Sequence, residues 1–187
     1  LGPYNFEFMT AVHKEIMQLY QPDSIFSNRW AGHGICYCEH CTQNFKTFSG
    51  MELPRNLPQS NSTTIPAGDV NDPAYRMYVK WRIERLKELW FLWDETIRKE
   101  KSSARFIPNG FPDKLITGQL SDVFFADQQG RSGLIPPWSN GLHAKQLRAT
   151  MGMKPQIGIF SVGHEEQYRW KDSVQSEAEL RVWAAEG

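Results

Sequence analysis

Three cysteines fall within Cys36-Tyr37-Cys38-Glu39-His40-Cys41, and the chain has no others. They follow Ser24-Ile25-Phe26-Ser27-Asn28-Arg29-Trp30, which reads as a short buried strand, and the glycine-rich turn Ala31-Gly32-His33-Gly34. A C-x-C-x-x-C run can gather its thiolates round one soft cation, because tetrahedral zinc accepts sulfur ligands at ~2.3 Å. Cys36 and Cys38 are poorly placed to bridge each other, and an odd count leaves one thiol over. The run therefore reads as a structural metal site with zinc as the cofactor. The alternative is three reduced cysteines without structural consequence. A reduced thiol cluster favours the cytoplasm, although nothing else in the sequence bears on the compartment.

At 187 residues the chain suits one domain with a substantial core. Its 21 basic and 21 acidic residues balance, which leaves no electrostatic footprint for nucleic acid or an anionic membrane. No apolar run approaches the ~20 residues of a membrane span. Aromatics reach 13%, with seven tryptophans. Such rings fill cores first, and can also stack on sugars. The opening Leu1-Gly2-Pro3 lacks a methionine, so a fragment or a processed chain is expected.

Taken in order, the chain alternates helices with short apolar strands. Asn5 is the expected cap of a helix whose buried face is Phe8, Val12, Ile16 and Leu19, ending at Tyr20 before Pro22. A short helix is expected over Gln43 to Phe48, stopping at Gly50, and residues 51–72 read as an exposed Pro/Ser/Asn/Thr-rich loop. Asp72-Pro73 opens the longest helix, with the acid as cap and proline in the first turn. Its apolar stripe is Met77, Trp81, Leu86, Leu89, Trp90, Trp93 and Ile97, and its solvated face holds Lys80, Arg82, Glu84, Arg85, Lys87 and Glu88.

Further strands are expected at Ala104 to Asn109, Asp122 to Ala126 and Gln156 to Val162. Helices are expected from Gly141 to Met151 and after the capping box Ser176-x-x-Glu179. Short, fully apolar strands followed by polar loops are the syntax of a parallel α/β sheet. In a (β/α)8 barrel those loops carry the active site.

The pieces F-S-N-R-W, C-Y-C-E-H-C, D-V-F-F-A-D and Y-R-W-K-D-S carry a resemblance. The cysteine region resembles the zinc cluster of glycoside hydrolase family 42 β-galactosidases. The wider pattern is similar to the barrel hydrolases called hypothetical glycosyl hydrolase 6, related to family 151 α-L-fucosidases. The resemblance implies that residues 1–187 form a single fragment of a parallel TIM (β/α)8 barrel, roughly its fourth to seventh strands. It also implies a glycoside hydrolase acting on terminal galactoside- or fucoside-class sugars. Two departures stand out. The family's zinc site uses a further upstream cysteine, absent here, for which His33 or His40 could substitute. The family 42 pattern also carries Asn-Glu at the end of its fourth strand, whereas here Arg29 follows Asn28 and cannot act as a general acid.

Glycosidic cleavage needs two carboxyl groups. The candidates are Asp127, directly after DVFFA, and Glu165 or Glu166 in the loop after QIGIFSV, with the bland alternative that the glutamates are simply solvated. Candidate substrate contacts are Asn28, Arg29, His33, Trp138 and Trp170. Trp30 would stack on a sugar or close the core. The expected partner is a carbohydrate, with neither nucleic acid nor membrane, and homo-oligomer formation is left open. Two rival classes remain. One is a catalytically inactive carbohydrate-binding relative, favoured by Arg29. The other is a nucleotide-binding α/β protein, weakened by the lack of any phosphate-loop motif.

Overall fold

The structure, a computed structural model, describes residues 1–32, 34–55, 57, 65–109, 119–128, 142, 145–146, 148–150, 152, 154, 156–160 and 181. The chain divides into two compact units, Leu1–Phe106 and Ile107–Gly187, each taken by itself below.

The first unit is organised on a 28-residue helix, α3 (Pro73–Glu100). Asp72 caps it as its sequence requires: the carboxylate accepts the Ala74 N–H at 2.9 Å, and Pro73, which has no N–H to satisfy, occupies the first turn. The expected stripe is buried from Trp81 to Ile97, Met77 is half-buried, and Tyr75 and Tyr78 extend the face. Arg82 departs from the expected solvated face. It is 4% exposed, because its guanidinium reaches back to donate to the Ala31 carbonyl. A long side chain can bury its stem when its head has an acceptor to reach.

Before α3 run a π-helical turn, Tyr4–Phe8, then α1 (Met9–Tyr20), strand β1 (Ser24–Ser27) and helix α2 (Glu39–Ser49). The expected cap at Asn5 is not formed. The turn starts behind Pro3, and the N–H groups of Asn5 and Phe6 both donate to the Gly2 carbonyl. Nor is the buried face of α1 the one expected. His13 and Met17 are buried, Val12 and Ile16 are half-buried, and Phe8 and Leu19 are exposed. The imidazole of His13 sits edge-on to the Trp93 indole at 4.6 Å and turns the helix towards α3, while Phe8 stacks on Tyr4 at the surface. α1 ends at Gln21 in the left-handed conformation, its N–H returned to the Met17 carbonyl at 3.1 Å.

β1 pairs with β2 (Arg105–Pro108). The Asp94 carboxylate on α3 accepts the Phe106 N–H at 3.1 Å and so ties β2 to the helix. Trp30, just past β1, is 5% exposed and meets Trp90 and Phe106 edge-to-face at 5.9 and 5.8 Å. Its ring closes the core, and the sugar-stacking expectation for it fails. The expected strand from Ser24 to Trp30 is accordingly shorter, giving way to a turn at Asn28. The flanks of the 51–72 loop are anchored: Leu53, Pro54 and Pro66 are buried, and the Tyr75 hydroxyl donates to the Pro66 carbonyl at 2.9 Å.

In the second unit β3 (Phe124–Gln128) and β4 (Gln156–Phe160) pair in parallel, Phe124 opposite Gln156 through Gln128 opposite Phe160. β3 begins and ends two residues later than expected, which puts Asp127 inside the strand, opposite Ile159. Lys154 donates to the carbonyl of buried Ser121 at 2.9 Å, joining the approaches to the two strands. The described residues 142, 145, 146 and 148–150 are helical, and Gly152, at φ +64°, closes that segment with its N–H on the Arg148 carbonyl. Among the described residues no helix is long and apolar enough to cross a membrane.

Candidate metal centre

The three thiols come together as their spacing implies. The sulfurs of Cys36, Cys38 and Cys41 all lie within 4.8 Å of one another. Around a tetrahedral zinc with Zn–S bonds of ~2.3 Å, sulfurs stand about 3.8 Å apart, so closing on an ion needs only a modest contraction. Local sequence explains the placement. α2 starts at Glu39, four residues earlier than expected, and Cys38 takes the N-cap position with extended backbone. Cys41 therefore lies on the first helical turn and faces inward, 1% exposed, beside Phe45, Leu53, Tyr75, Tyr78 and Trp81. Cys36 and Cys38 stay exposed on the preceding loop.

That loop is pinned from both sides. The Tyr37 hydroxyl donates to the Pro54 carbonyl at 2.7 Å, and the Tyr78 hydroxyl to the Gly34 carbonyl at 3.3 Å. Burial pushes the Tyr78 phenol up to about 12, which keeps it a donor. Neither tyrosine was singled out from sequence, although alternating Cys-Tyr-Cys and the helical spacing of Tyr78 from Trp81 were visible. Ile35 packs on the same cluster.

The electrostatics separate the thiols. The Cys41 backbone N–H, with help from the Cys36 side chain, lowers the pKa of Cys38. Burial raises that of Cys41 to about 11. A cation arriving at this donor set would displace the protons and be held by thiolates, and the exposed side leaves room for a fourth ligand. Among the described residues the group consists of the three thiols alone; His40, in the first turn of α2, is exposed and outside it. The donor chemistry and spacing fit a thiolate-bound metal ion.

The other expected site residues are distributed as follows. Asn28 and Arg29 are exposed in the turn that ends β1, with Arg29 at φ +50°. A non-glycine residue in the left-handed region is uncommon, and such residues concentrate at sites where the surrounding structure holds them in place. Asp127 lies on β3 of the second unit. His33, Trp138, Glu165, Glu166 and Trp170 lie outside the described residues. Comparison with protein-family models, with curated proteins and with solved structures finds no match.

Proposed function

We propose that the chain carries four strands of a (β/α)8 glycoside hydrolase acting on terminal galactoside- or fucoside-class sugars, with a structural zinc at Cys36, Cys38 and Cys41. The observation that carries the reading is the parallel pairing of β3 with β4. Parallel strands in register send the segments that follow them out of the sheet at one end, and in barrels of this kind catalytic groups sit there. Asp127 is the fourth residue of the five in β3, and Glu165 and Glu166 follow Phe160 by five and six positions.

One carboxyl group would protonate the leaving glycosidic oxygen, and the other would attack the sugar or activate water. A separation of ~5–5.5 Å would give retention and ~6.5–9.5 Å inversion. Asn28, Arg29 and His33 would bind sugar hydroxyls, and Trp138 and Trp170 would offer ring faces. In the intact gene product, assayed on a panel of nitrophenyl galactosides and fucosides, Asp127→Asn should lower turnover at least about a hundredfold. So should one of Glu165→Gln and Glu166→Gln, that being the scale of losing a general acid or base. Near-normal turnover in all three variants removes this pair from the mechanism.

A second reading is a carbohydrate-binding relative without turnover. The observation favouring it is Arg29, held at φ +50° just past β1 where the resembled hydrolases place their acid/base glutamate. Saturable sugar binding by calorimetry, with no hydrolysis anywhere on the panel, would decide for it.

A further inference from the structure

We propose, building on the zinc reading above, that Cys38 and Cys41 form a redox-active dithiol. A peroxide-class oxidant would join them as a disulfide and release the metal. The two cysteines are three positions apart, with Cys38 at the N-cap of α2 and Cys41 one helical turn on, and their sulfurs lie within 4.8 Å of each other. An N-cap side chain reaches over the first turn to the third helical position, here Cys41, so rotation about the side-chain bonds can close the remaining gap. Cys36 lies further out on the loop and only two positions from Cys38, a spacing that disfavours a bridge between them.

Exposure and placement assign the order of events. Cys36 and Cys38 are both open to solvent, whereas Cys41 is 1% exposed among Phe45, Tyr75, Tyr78 and Trp81. Of the two open thiols only Cys38 sits at the N-cap of the helix that carries Cys41, so the sulfenic acid that leads to the disulfide forms on Cys38. The Cys38 sulfur attacks one oxygen of hydrogen peroxide, the O–O bond breaks, and sulfenic acid and hydroxide result, the hydroxide taking a proton from solvent to become water. The Cys41 sulfur then attacks the Cys38 sulfur, the S–O bond breaks, and the hydroxide that leaves takes a second solvent proton. Two thiolates, one peroxide and two solvent protons become one disulfide and two waters, two electrons pass from sulfur to oxygen, and the zinc departs as the divalent ion. A buried resolving thiol beside an exposed one favours this outcome over further oxidation of Cys38. The disulfide removes two of three thiolate ligands, and Cys36 alone does not hold a structural zinc.

The test treats the zinc-loaded intact protein with excess hydrogen peroxide. Metal release is followed with a chromogenic chelator, and the cysteine-containing peptide is mapped by mass spectrometry. The expected result is complete release of the bound zinc together with a Cys38–Cys41 disulfide, and dithiothreitol followed by zinc restores the loaded state. Cys36→Ser should retain the disulfide, and Cys38→Ser, at an exposed position, should abolish it. Zinc loss with sulfinic acid but no disulfide, a disulfide that uses Cys36, or retention of zinc under oxidant would each overturn the proposal. If the protein binds no zinc, the metal reading fails by itself, and the dithiol is judged on disulfide formation in the metal-free chain.

Discussion

The two halves of α3 are held by different physics. Its C-terminal half is dominated by packing: Trp90, Trp93 and Ile97 are buried with Trp30, His13 and Phe106, Trp93 meets Phe106 edge-to-face at 5.3 Å, and hydrogen bonds from Trp93 and to Asp94 only hold those rings in place. Its N-terminal half mixes packing with tethers. Tyr75 and Tyr78 bury their rings against Cys41 and Phe45, and spend their hydroxyls on the carbonyls of Pro66 and Gly34. Rings at the first end fix the approach of α1 and β2. Hydroxyls at the second end fix a loop backbone, and that loop carries the thiols. A core of rings tolerates no gap, whereas a tethered loop can lose a contact and keep its fold.

The largest expected effect lies at the packed end. Trp93 is 1% exposed, and its indole N–H donates to the Asn5 carbonyl at 3.2 Å and the Thr10 hydroxyl at 3.1 Å. Trp93→Ala should cost about 3–5 kcal/mol by denaturant unfolding, the range for emptying a large aromatic from a core. A loss under about 1 kcal/mol, the scale of an ordinary surface change, would mean that this end is not the packing anchor described here.

The same end should respond to acid. Burial lowers the pKa of His13 to about 4 from 6.5. The groups that face it are the Trp93 and Phe106 rings, and its Nδ1 has no partner among the described residues. Well above pH 6.5 the imidazole is neutral in both folded and unfolded chains, so its protonation adds no pH dependence to stability there. As pH falls from 6.5 to about 4, the unfolded chain takes up a proton that the folded one refuses, and stability declines; below about 4 this contribution levels off. Fully realised, a shift of that size corresponds to about 3 kcal/mol, the lower end of the Trp93→Ala range. His13→Gln removes the titrating group, so unfolding of wild type and variant compared across that window isolates its share from that of the carboxylates. Parallel pH profiles would show that His13 is not held neutral.

How much of this was legible in sequence follows the same division. Spacing alone located the thiol cluster, and Asp72-Pro73 and Gly50 marked helix boundaries because caps are local chemistry. The rotation of α1 towards His13 was not legible, since it depends on which ring of α3 lies opposite. The early start of α2 is hidden in the sequence because cysteine, which takes its cap position at Cys38, is not among the residues that usually cap helices. Arg82 departs from expectation, and Trp30 takes the core-closing one of its two alternatives, for one reason. A cation on a polar helix face and an indole after a strand do not reveal their burial until the turn at Asn28 to Ala31 brings them inward. The apolar run DVFFA ends one residue short of Asp127, whereas the pairing with β4 carries the strand on to Gln128 and takes Asp127 into it.

The smallest effect sharpens the contrast at the tethered end. Asp72 satisfies the Ala74 N–H, one of the four donors that the first turn of α3 cannot satisfy internally. Asp72→Ala should cost about 1 kcal/mol, the usual loss for a helix cap. Where the loss falls matters more than its size. The cap lies three residues from Tyr75 and six from Tyr78, so fraying of the first turn should loosen the Pro66 and Gly34 tethers before it reaches Trp90. Amide hydrogen exchange should therefore quicken around Tyr75 to Tyr78 and in the Gly34 to Cys41 segment, while protection near Trp93 and Ile97 stays unchanged. Quickened exchange spread evenly along α3 would mean that the helix opens as one unit, and that its two halves are not separately held.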